Sequence, residues 1–423
     1  MTYRETLDYL YGLQRFGIKL GLSNTQRMLE RLGHPERCAP VIHVAGTNGK
    51  GSVCATLARV LREAGLRVGL YTSPHLHCFT ERIRVNDLCI SEADVVRLTK
   101  DLRHRAEDLP LTFFEFTTVL ALQYFRERQV DFMVLEVGMG GRLDATNVVQ
   151  PRVTVITPVS EDHAEHLGPD LASIAREKAG IIKPGVPLVL AVQAPQALAA
   201  IEGIAHAAGA PVRRAGRDFR ISPQAKGFDY EGRSLRLCGL KPRLIGAHQG
   251  ENLAVALAVV ELLREQGVEL GEAEVRRATE SVDWPGRLER WPLRPPVLLD
   301  GAHNISGAEA LAAYLQECRL GKLPWVLGLS GKRRPERICA PWLPHLAAAY
   351  VAEPGVDKAV AADEISTFLA GQGCAATVCA SPPAALRQAL AEWPRAPLVV
   401  VAGSLYLVAE VRDWLRKHAE VGE

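Results

Sequence analysis

The chain has 423 residues, 48% apolar and 23% charged, which excludes disorder as its main state and sets a prior of roughly two or three domains. Fifty Lys and Arg against 48 Asp and Glu leave a net charge of +2, so no bulk electrostatic pull toward nucleic acid or an anionic membrane exists. Any anion it binds must be gripped locally.

Nine cysteines are scattered without a C-x-x-C pair, a pattern that reads as buried reduced thiols in a cytoplasmic protein. The opening MTYRETLDYLYGLQRFGIKLG carries charge from its fourth residue and lacks an apolar core with a small-residue cleavage site, so no signal peptide is expected. The most apolar stretch, residues 397–411, is interrupted by Gly403 and Ser404 and falls short of the roughly 20 residues that span a bilayer.

In chain order, short apolar runs alternate with amphipathic stretches: VIHVAG, a helix over residues 52–64, RVGLYTS, FMVLEVG, VTVITPV and VPLVLAV. This alternation predicts an α/β fold, a parallel sheet with covering helices. FRISPQAKGFDYEGRSLRL reads as antiparallel strands at a sheet edge or in a small subsheet, followed by the helical ENLAVALAVVELLREQG. Residues 1–291 are expected to form one large domain of the phosphate-loop type. WPGRLERWPLRPP, crowded with proline, reads as a stiff connector. Residues 292–423 again alternate strand (PVLLDGAHN), helix (307–317), strand (WVLGLS), helices, strand (LVVVAGS) and helix (405–417), which predicts a smaller Rossmann-like domain. Two such lobes joined by a hinge imply a cleft.

The strongest local signal is VIHVAGTNGKGSVCATLARVL, an apolar strand running into a Gly-rich turn and then an amphipathic helix. Gly46, Gly49 and Gly51 let successive backbone N–H groups and the positive helix end surround a phosphate, Lys50 adds a full charge, and Ser52 can offer an oxygen to Mg2+. Against G-x-x-x-x-G-K-[ST], Val44 stands where the first glycine belongs and Gly51 separates Lys50 from Ser52. The strand and helix context still favours ATP or GTP over an ordinary tight turn.

GTNGKGS resembles the variant phosphate loop of the Mur ligase superfamily, and the chain is similar in particular to the folylpolyglutamate synthase and dihydrofolate synthase family. FGIKLGL (16–22), YTSPHL (71–76), TERIRVN (80–86), TFFEFTT (112–118), LEVGMGGRLDATN (135–147), EDHAEHLG (161–168), IAREKAGIIK (174–183), PGRLE (285–289) and DGAHN (300–304) carry the likeness in order. It covers nearly the whole chain.

The resemblance implies an ATP-dependent ligase that activates a folate or pteroate carboxylate as an acyl phosphate, which L-glutamate then attacks. It assigns ATP to Gly46, Thr47, Asn48, Gly49, Lys50, Gly51, Ser52, Asn252, Arg287, Asp300 and His303. Mg2+ falls to Ser52, Glu136, His163 and Lys178, the last carbamylated; Lys50, Lys178 and His163 are the implied catalytic residues. Ser73, Phe114, Glu115 and Asp144 are assigned to the folate. Residue chemistry alone is less pointed. Glu136 closes the run FMVLEVG at a strand's carboxyl end, where an α/β sheet places its ligand crevice, but a lone acid or histidine there is more often a cap, and Lys178 by itself reads as a solvated helix lysine. A flat pterin rewards an aromatic wall and a carboxylate that accepts its N–H donors, which suits Phe114 and Glu115.

Other signals are weaker. GMGG lacks the third glycine and helix of a dinucleotide fingerprint, so NAD and FAD are not expected. His75, His77 and Cys78 are too compact for zinc with no second ligand pair nearby. Two positions depart from the family pattern, Ile305 after Asn304 and Leu253 after Asn252, and Lys332, Arg333 and Arg334 make wholly basic a segment where relatives often carry acids. A peptidoglycan-type Mur ligase, a simple kinase and a non-catalytic nucleotide switch are the rival classes; only about 40 residues precede the phosphate strand, too few for a uridine-nucleotide domain. Neither nucleic acid nor membrane is an expected partner, a monomer is expected, and a monovalent cation is left open as a second cofactor.

Overall fold

A computed structural model of the chain describes residues 1–16, 21–162, 164–224 and 227–419. They form two compact units, Met1–Arg243 with Ala247–Asp283, and Leu244–Gly246 with Trp284–Glu423.

In the first unit the apolar runs become β1 (Val41–Ala45), β2 (Val68–Tyr71), β5 (Phe132–Glu136), β6 (Val153–Ile156), β7 (Leu188–Leu190) and β8 (Val212–Arg214), all parallel, with β3 (Ile83–Val85) and β4 (Leu88–Cys89) added antiparallel. Among the described residues the sheet order is β4-β3-β2-β5-β1-β6-β7-β8. Every residue of β1 and β5 is buried, as a strand covered on both faces requires. Alternation sorts the two faces. Ile42, Val44 and Val134 pack with Val53, Leu57 and Leu61 of the helix Lys50–Glu63 and Leu253, Leu257 and Val260 of the helix Ala247–Glu265. Met133 and Leu135 point the other way, toward Val119, Leu122 and Phe125 of the helix Phe113–Glu127.

The segment read as a small subsheet is one. β9 (Arg220–Gln224), β10 (Gly227–Glu231) and β11 (Arg236–Leu240) pair antiparallel with β10 central. Buried Glu261, on the helix Ala247–Glu265, accepts from Tyr230 Oη at 2.8 Å and from the Ser234 and Leu235 N–H groups at 2.7 Å, which fastens this sheet to the helix.

The second unit is built on β12 (Glu289–Trp291), β13 (Val297–Asp300), β14 (Leu323–Leu327), β15 (Leu346–Val351), β16 (Ala375–Val378) and β17 (Val399–Ala402), in the order β12-β13-β17-β14-β15-β16. All are parallel except β12, which runs antiparallel to β13. Its core centres on Trp325 and Trp342, whose ring centroids are 5.3 Å apart.

Two expectations are corrected. The proline-rich segment is not merely a connector: Glu289 pairs with Leu299 and Trp291 with Val297, so an edge strand of the second sheet lies inside it. An edge position tolerates the neighbouring prolines because one row of backbone groups needs no strand partner. The thiols are unpaired, but only Cys54 and Cys339 are buried; Cys38, Cys78, Cys89 and Cys238 are exposed. Among the described residues no helix is long and apolar enough to cross a membrane.

Candidate active site

β1 ends at Ala45 and the chain turns through Gly46, Thr47, Asn48 and Gly49 into the helix Lys50–Glu63, whose first turn holds Gly51 and Ser52. Gly46 has φ 142° and Gly49 φ 87°, backbone that side chains rarely adopt. Space forbids a side chain as well. A Cβ on Gly46 would lie 1.8 Å from Thr157 Oγ1, and one on Gly49 would lie 2.2 Å from Asn252 Oδ1. Asn252, buried and held by Gln249 Oε1 at 3.0 Å, therefore stands directly against the Gly46–Ser52 loop. Lys50 Nζ donates to the Thr47 carbonyl at 3.1 Å, and Thr47 N–H donates to the Pro158 carbonyl at 2.9 Å.

Glu136 is the last residue of β5, level with Val44 of β1. Its carboxylate is buried, with Oε1 4.0 Å from Lys50 Nζ and Oε2 accepting the Ser73 N–H at 3.1 Å. Lys178 belongs to the helix Leu171–Ala179 and is no solvated lysine. It is 5% exposed, and its Nζ donates to the Gly46 carbonyl at 2.8 Å. Burial pushes its pKa from 10.5 down to about 7, aided by Lys50 and opposed by Asp162 and Asp144. Lys50, Glu136, Ser73, Gly46 and Lys178 are thus brought together. Ser52, 2% exposed, lies one helical position beyond Gly51. His163 lies outside the described residues, as do residues 17–20 of the FGIKLGL segment.

The paired glycines of GMGGR serve packing. A Cβ on Gly141 would lie 2.6 Å from the Lys178 carbonyl oxygen, and one on Gly180 would lie 2.3 Å from Arg142 Cβ, so this loop crosses the end of the lysine's helix at backbone contact. Asp144 organises the same loop: Oδ2 accepts the Gly138 and Met139 N–H groups at 3.0 and 2.9 Å, and Oδ1 accepts from Thr146 N–H at 3.0 Å and from Thr146 Oγ1. Burial raises its pKa, and those hydrogen bonds work against the rise.

The TFFEFTT aromatics divide by task. Phe116 is core, Phe113 stacks on Tyr11 at 5.6 Å beneath the Arg82 guanidinium, and Phe114 covers Gly138, with its ring 6.0 Å from that of Tyr71. Glu115 forms a capping box with Thr112: its Oε2 accepts the Thr112 N–H at 2.7 Å and its own N–H donates to Thr112 Oγ1 at 3.3 Å. Around Ser73, Arg82 Nε donates to His75 Nδ1 at 2.8 Å, and burial followed by the charge of Arg82 holds His75 down at about 4.

Sequence reasoning passed over His43. It sits wholly buried in β1, its Nε2 2.8 Å from Thr146 Oγ1, and desolvation lowers its pKa to about 3. A histidine inside an otherwise apolar run was the available signal.

In the second unit Asp300 closes β13, its Oδ2 accepting the Leu288 N–H at 2.8 Å and its Oδ1 the Ala302 N–H at 2.9 Å. Arg287 Nη1 donates to the Gly286 carbonyl, while Glu289 accepts the Gly286 N–H at 2.9 Å and Arg412 Nε at 2.8 Å. His303 Nδ1 is 2.8 Å from the Gly301 carbonyl oxygen, and Arg333 Nε donates to the His303 carbonyl at 2.7 Å. The basic segment is therefore part of the Asp300–His303 loop system.

Comparison with known proteins decides the family. The Mur ligase middle domain family matches residues 44–260, and the dihydrofolate synthetase C-terminal domain family matches residues 292–416. The folylpolyglutamate synthase of Lacticaseibacillus casei is 34% identical, covering 98% of this chain and 99% of its own. The chain belongs to the folylpolyglutamate synthase/dihydrofolate synthase family. Family structures share its whole architecture. The Escherichia coli FolC complex with DHPP and ADP aligns at a TM-score of 0.90 and 32% identity over 98% of both chains. The Yersinia pestis bifunctional synthase complexed with AMPPNP and Mn ion aligns at 0.89 and 33% identity, also over 98% of both.

Proposed function

We propose that this chain is the ATP-dependent ligase of its family, joining L-glutamate to tetrahydrofolate, to dihydropteroate or to both. The observation that carries the proposal is the convergence of Lys50, Glu136 and Lys178 on the Gly46–Ser52 loop, in a chain that matches the family from end to end.

Amide formation from a carboxylate is uphill in water, so the acid is first activated. A carboxylate oxygen attacks the γ-phosphorus of ATP, the bond to the bridging oxygen of ADP breaks, and an acyl phosphate forms. The loop N–H groups and Lys50 neutralise charge that builds on the transferred phosphoryl group. The amine of glutamate then attacks the acyl carbon, the carbon–oxygen bond to phosphate breaks, and the nitrogen loses a proton. Phe114, whose ring lies against Gly138, is the proposed flat apolar wall for the pterin, and Ser73, whose N–H donates to Glu136, is the proposed folate contact beside the Gly46–Ser52 loop. Glu115 and Asp144 are spent on helix capping and on the Gly138 loop, so their part in folate binding is to hold that wall in place. Asn252 is assigned to the nucleotide, with Arg287, Asp300 and His303 from the second unit.

The proposed divalent cation is Mg2+, and the residues present fit it. Buried Glu136 and Ser52 offer oxygen donors, and Lys178 has an amine whose pKa burial lowers to about 7, so that a substantial share is free base at neutral pH. That amine can attack CO2, losing a proton and becoming a carbamate, which exchanges a cation for an oxygen ligand. His163 completes the proposed set. When bound, the cation neutralises phosphate charge and orients the transferred group. The proposal further places the enzyme in the cytoplasm as a monomer, in keeping with nine unpaired thiols.

The test is ADP release with ATP, Mg2+ and L-glutamate, comparing dihydropteroate, tetrahydrofolate and no acceptor. Release that depends on both glutamate and a pteroate acceptor is expected. With 18O in the acceptor's carboxyl group, label must appear in the orthophosphate; unlabelled phosphate rules out the acyl phosphate.

A further inference from the structure

We propose that Gln193 is a positioning residue for the nucleotide, acting on the phosphate loop through residues 157–160; the proposal rests on the reading of Gly46–Ser52 as the ATP site. Gln193 lies just beyond β7, and its side-chain amide straddles Pro158. Oε1 accepts the Val159 N–H at 2.9 Å and Nε2 donates to the Thr157 carbonyl at 3.0 Å. Opposed donor and acceptor bonds fix both the amide's orientation and the backbone on either side of the proline.

That backbone is the surface against which the phosphate loop is moulded. The Pro158 carbonyl accepts the Thr47 N–H at 2.9 Å. Ser160 N–H donates to Thr47 Oγ1 at 3.1 Å, and the same hydroxyl donates to the Ser160 carbonyl at 3.1 Å. Thr157 N–H donates to the Ala45 carbonyl at 2.8 Å, and Thr157 Oγ1 occupies the space that Gly46 leaves open. Residues 45, 46 and 47 are thus each held by the segment that Gln193 clamps. A glycine-rich loop has little stiffness of its own, and its affinity for a polyphosphate depends on N–H groups already aimed at the anion. Gln193 supplies stiffness from the segment after β7, through bonds to residues 157 and 159 rather than to the loop itself.

The probe is equilibrium binding of a non-hydrolysable ATP analogue with Mg2+ to the full chain. Gln193→Met keeps the length and apolar bulk and removes both hydrogen bonds. It is expected to weaken the analogue about 10-fold, on the order of three-fold per lost bond. KM for the pteroate acceptor should stay within about two-fold of wild type. Thr47→Val removes the other end of the clasp, and because both variants loosen one element, the double variant is expected to lose much less than the product of the single losses. Amide hydrogen exchange across residues 45–50 should accelerate in Gln193→Met even where the melting temperature is unchanged. Lys50→Ala is the control for the underlying site. If it loses analogue binding while Gln193→Met binds within two-fold of wild type, the positioning role is overturned and the ATP site stands. If Lys50→Ala binds normally, the site reading itself falls. Multiplicative losses in the double variant, or an equal rise in both KM values, also overturn the role of Gln193.

Discussion

Lys178 and Gly46 stand 132 positions apart, yet the lysine's Nζ donates to the glycine's carbonyl at 2.8 Å. The bond carries a buried amine to the first turn of the phosphate loop, beside a second lysine that opposes its protonation. With a pKa near 7 rather than 10.5, a large fraction is free base at neutral pH, and only the free base reacts with CO2. Activity measured in carefully decarbonated buffer is expected to fall and to return on adding bicarbonate, with the deficit deepest below pH 7, where the amine is protonated. Crystallographic density should extend beyond Nζ as a planar carboxylate. A bare amine in a fully active enzyme would refute the carbamate.

Lys50 anchors a separate expectation. Its Nζ reaches back to the Thr47 carbonyl and lies 4.0 Å from Glu136, so it is held over the loop. Lys50→Ala should cut ADP formation at least about 100-fold, the scale on which charge stabilisation of a transferring phosphoryl group acts, with little change in melting temperature. Turnover within a few-fold of wild type would discard the phosphate-loop assignment.

These two lysines mark the reach of the sequence. Lys50 was legible because strand, glycines, lysine and helix are contiguous, and the turn is a local object. Lys178 was not: its environment is made by β1 and by the Gly138–Asn147 loop, and periodicity alone places it on a helix without saying what that helix faces. The alternation of apolar runs yielded both sheets, but not the antiparallel edge strand Glu289–Trp291, because three residues among prolines carry no period. Glu115 suits the N–H donors of a pterin by its chemistry, whereas Asp144 is assigned to the folate only by the family resemblance. Their oxygens accept from the chain's own N–H groups, a use of a carboxylate that is visible only once the backbone is folded around it.

Phe114 and Gly138 give a prediction about the acceptor. A Cβ on Gly138 would lie 2.5 Å from Phe114 Cζ, inside any real contact, and Gly138 does not have the positive φ that would strain alanine by itself. Gly138→Ala must therefore move the ring, not the backbone. KM for the pteroate acceptor is expected to rise about 10-fold while KM for ATP is unchanged, since a wall displaced by an ångström costs binding geometry on that scale. Kinetics with each substrate varied in turn decide it: an unchanged acceptor KM removes Phe114 from the pocket.

His43 makes stability depend on acid in a direction that can be worked out. Its pKa is about 3 in the folded chain and 6.5 when exposed, because burial in β1 disfavours the charged ring. Between those values the unfolded chain holds a proton that the folded chain does not, so stability falls as pH drops through this window, with a limiting slope of about 1.4 kcal/mol per pH unit. From pH 6.5 to pH 5 that amounts to about 2 kcal/mol. His75, held down at about 4, adds a loss of the same sign, so the informative quantity is the difference between proteins. His43→Val suits a buried strand and leaves Thr146 Oγ1 still able to donate to Asp144. Urea unfolding of both proteins at pH 7 and pH 5 should show the variant losing about 2 kcal/mol less than wild type on acidification, whatever its stability at pH 7. Parallel losses would mean that His43 is already protonated in the fold, and that its Nε2–Thr146 contact does not hold a neutral ring.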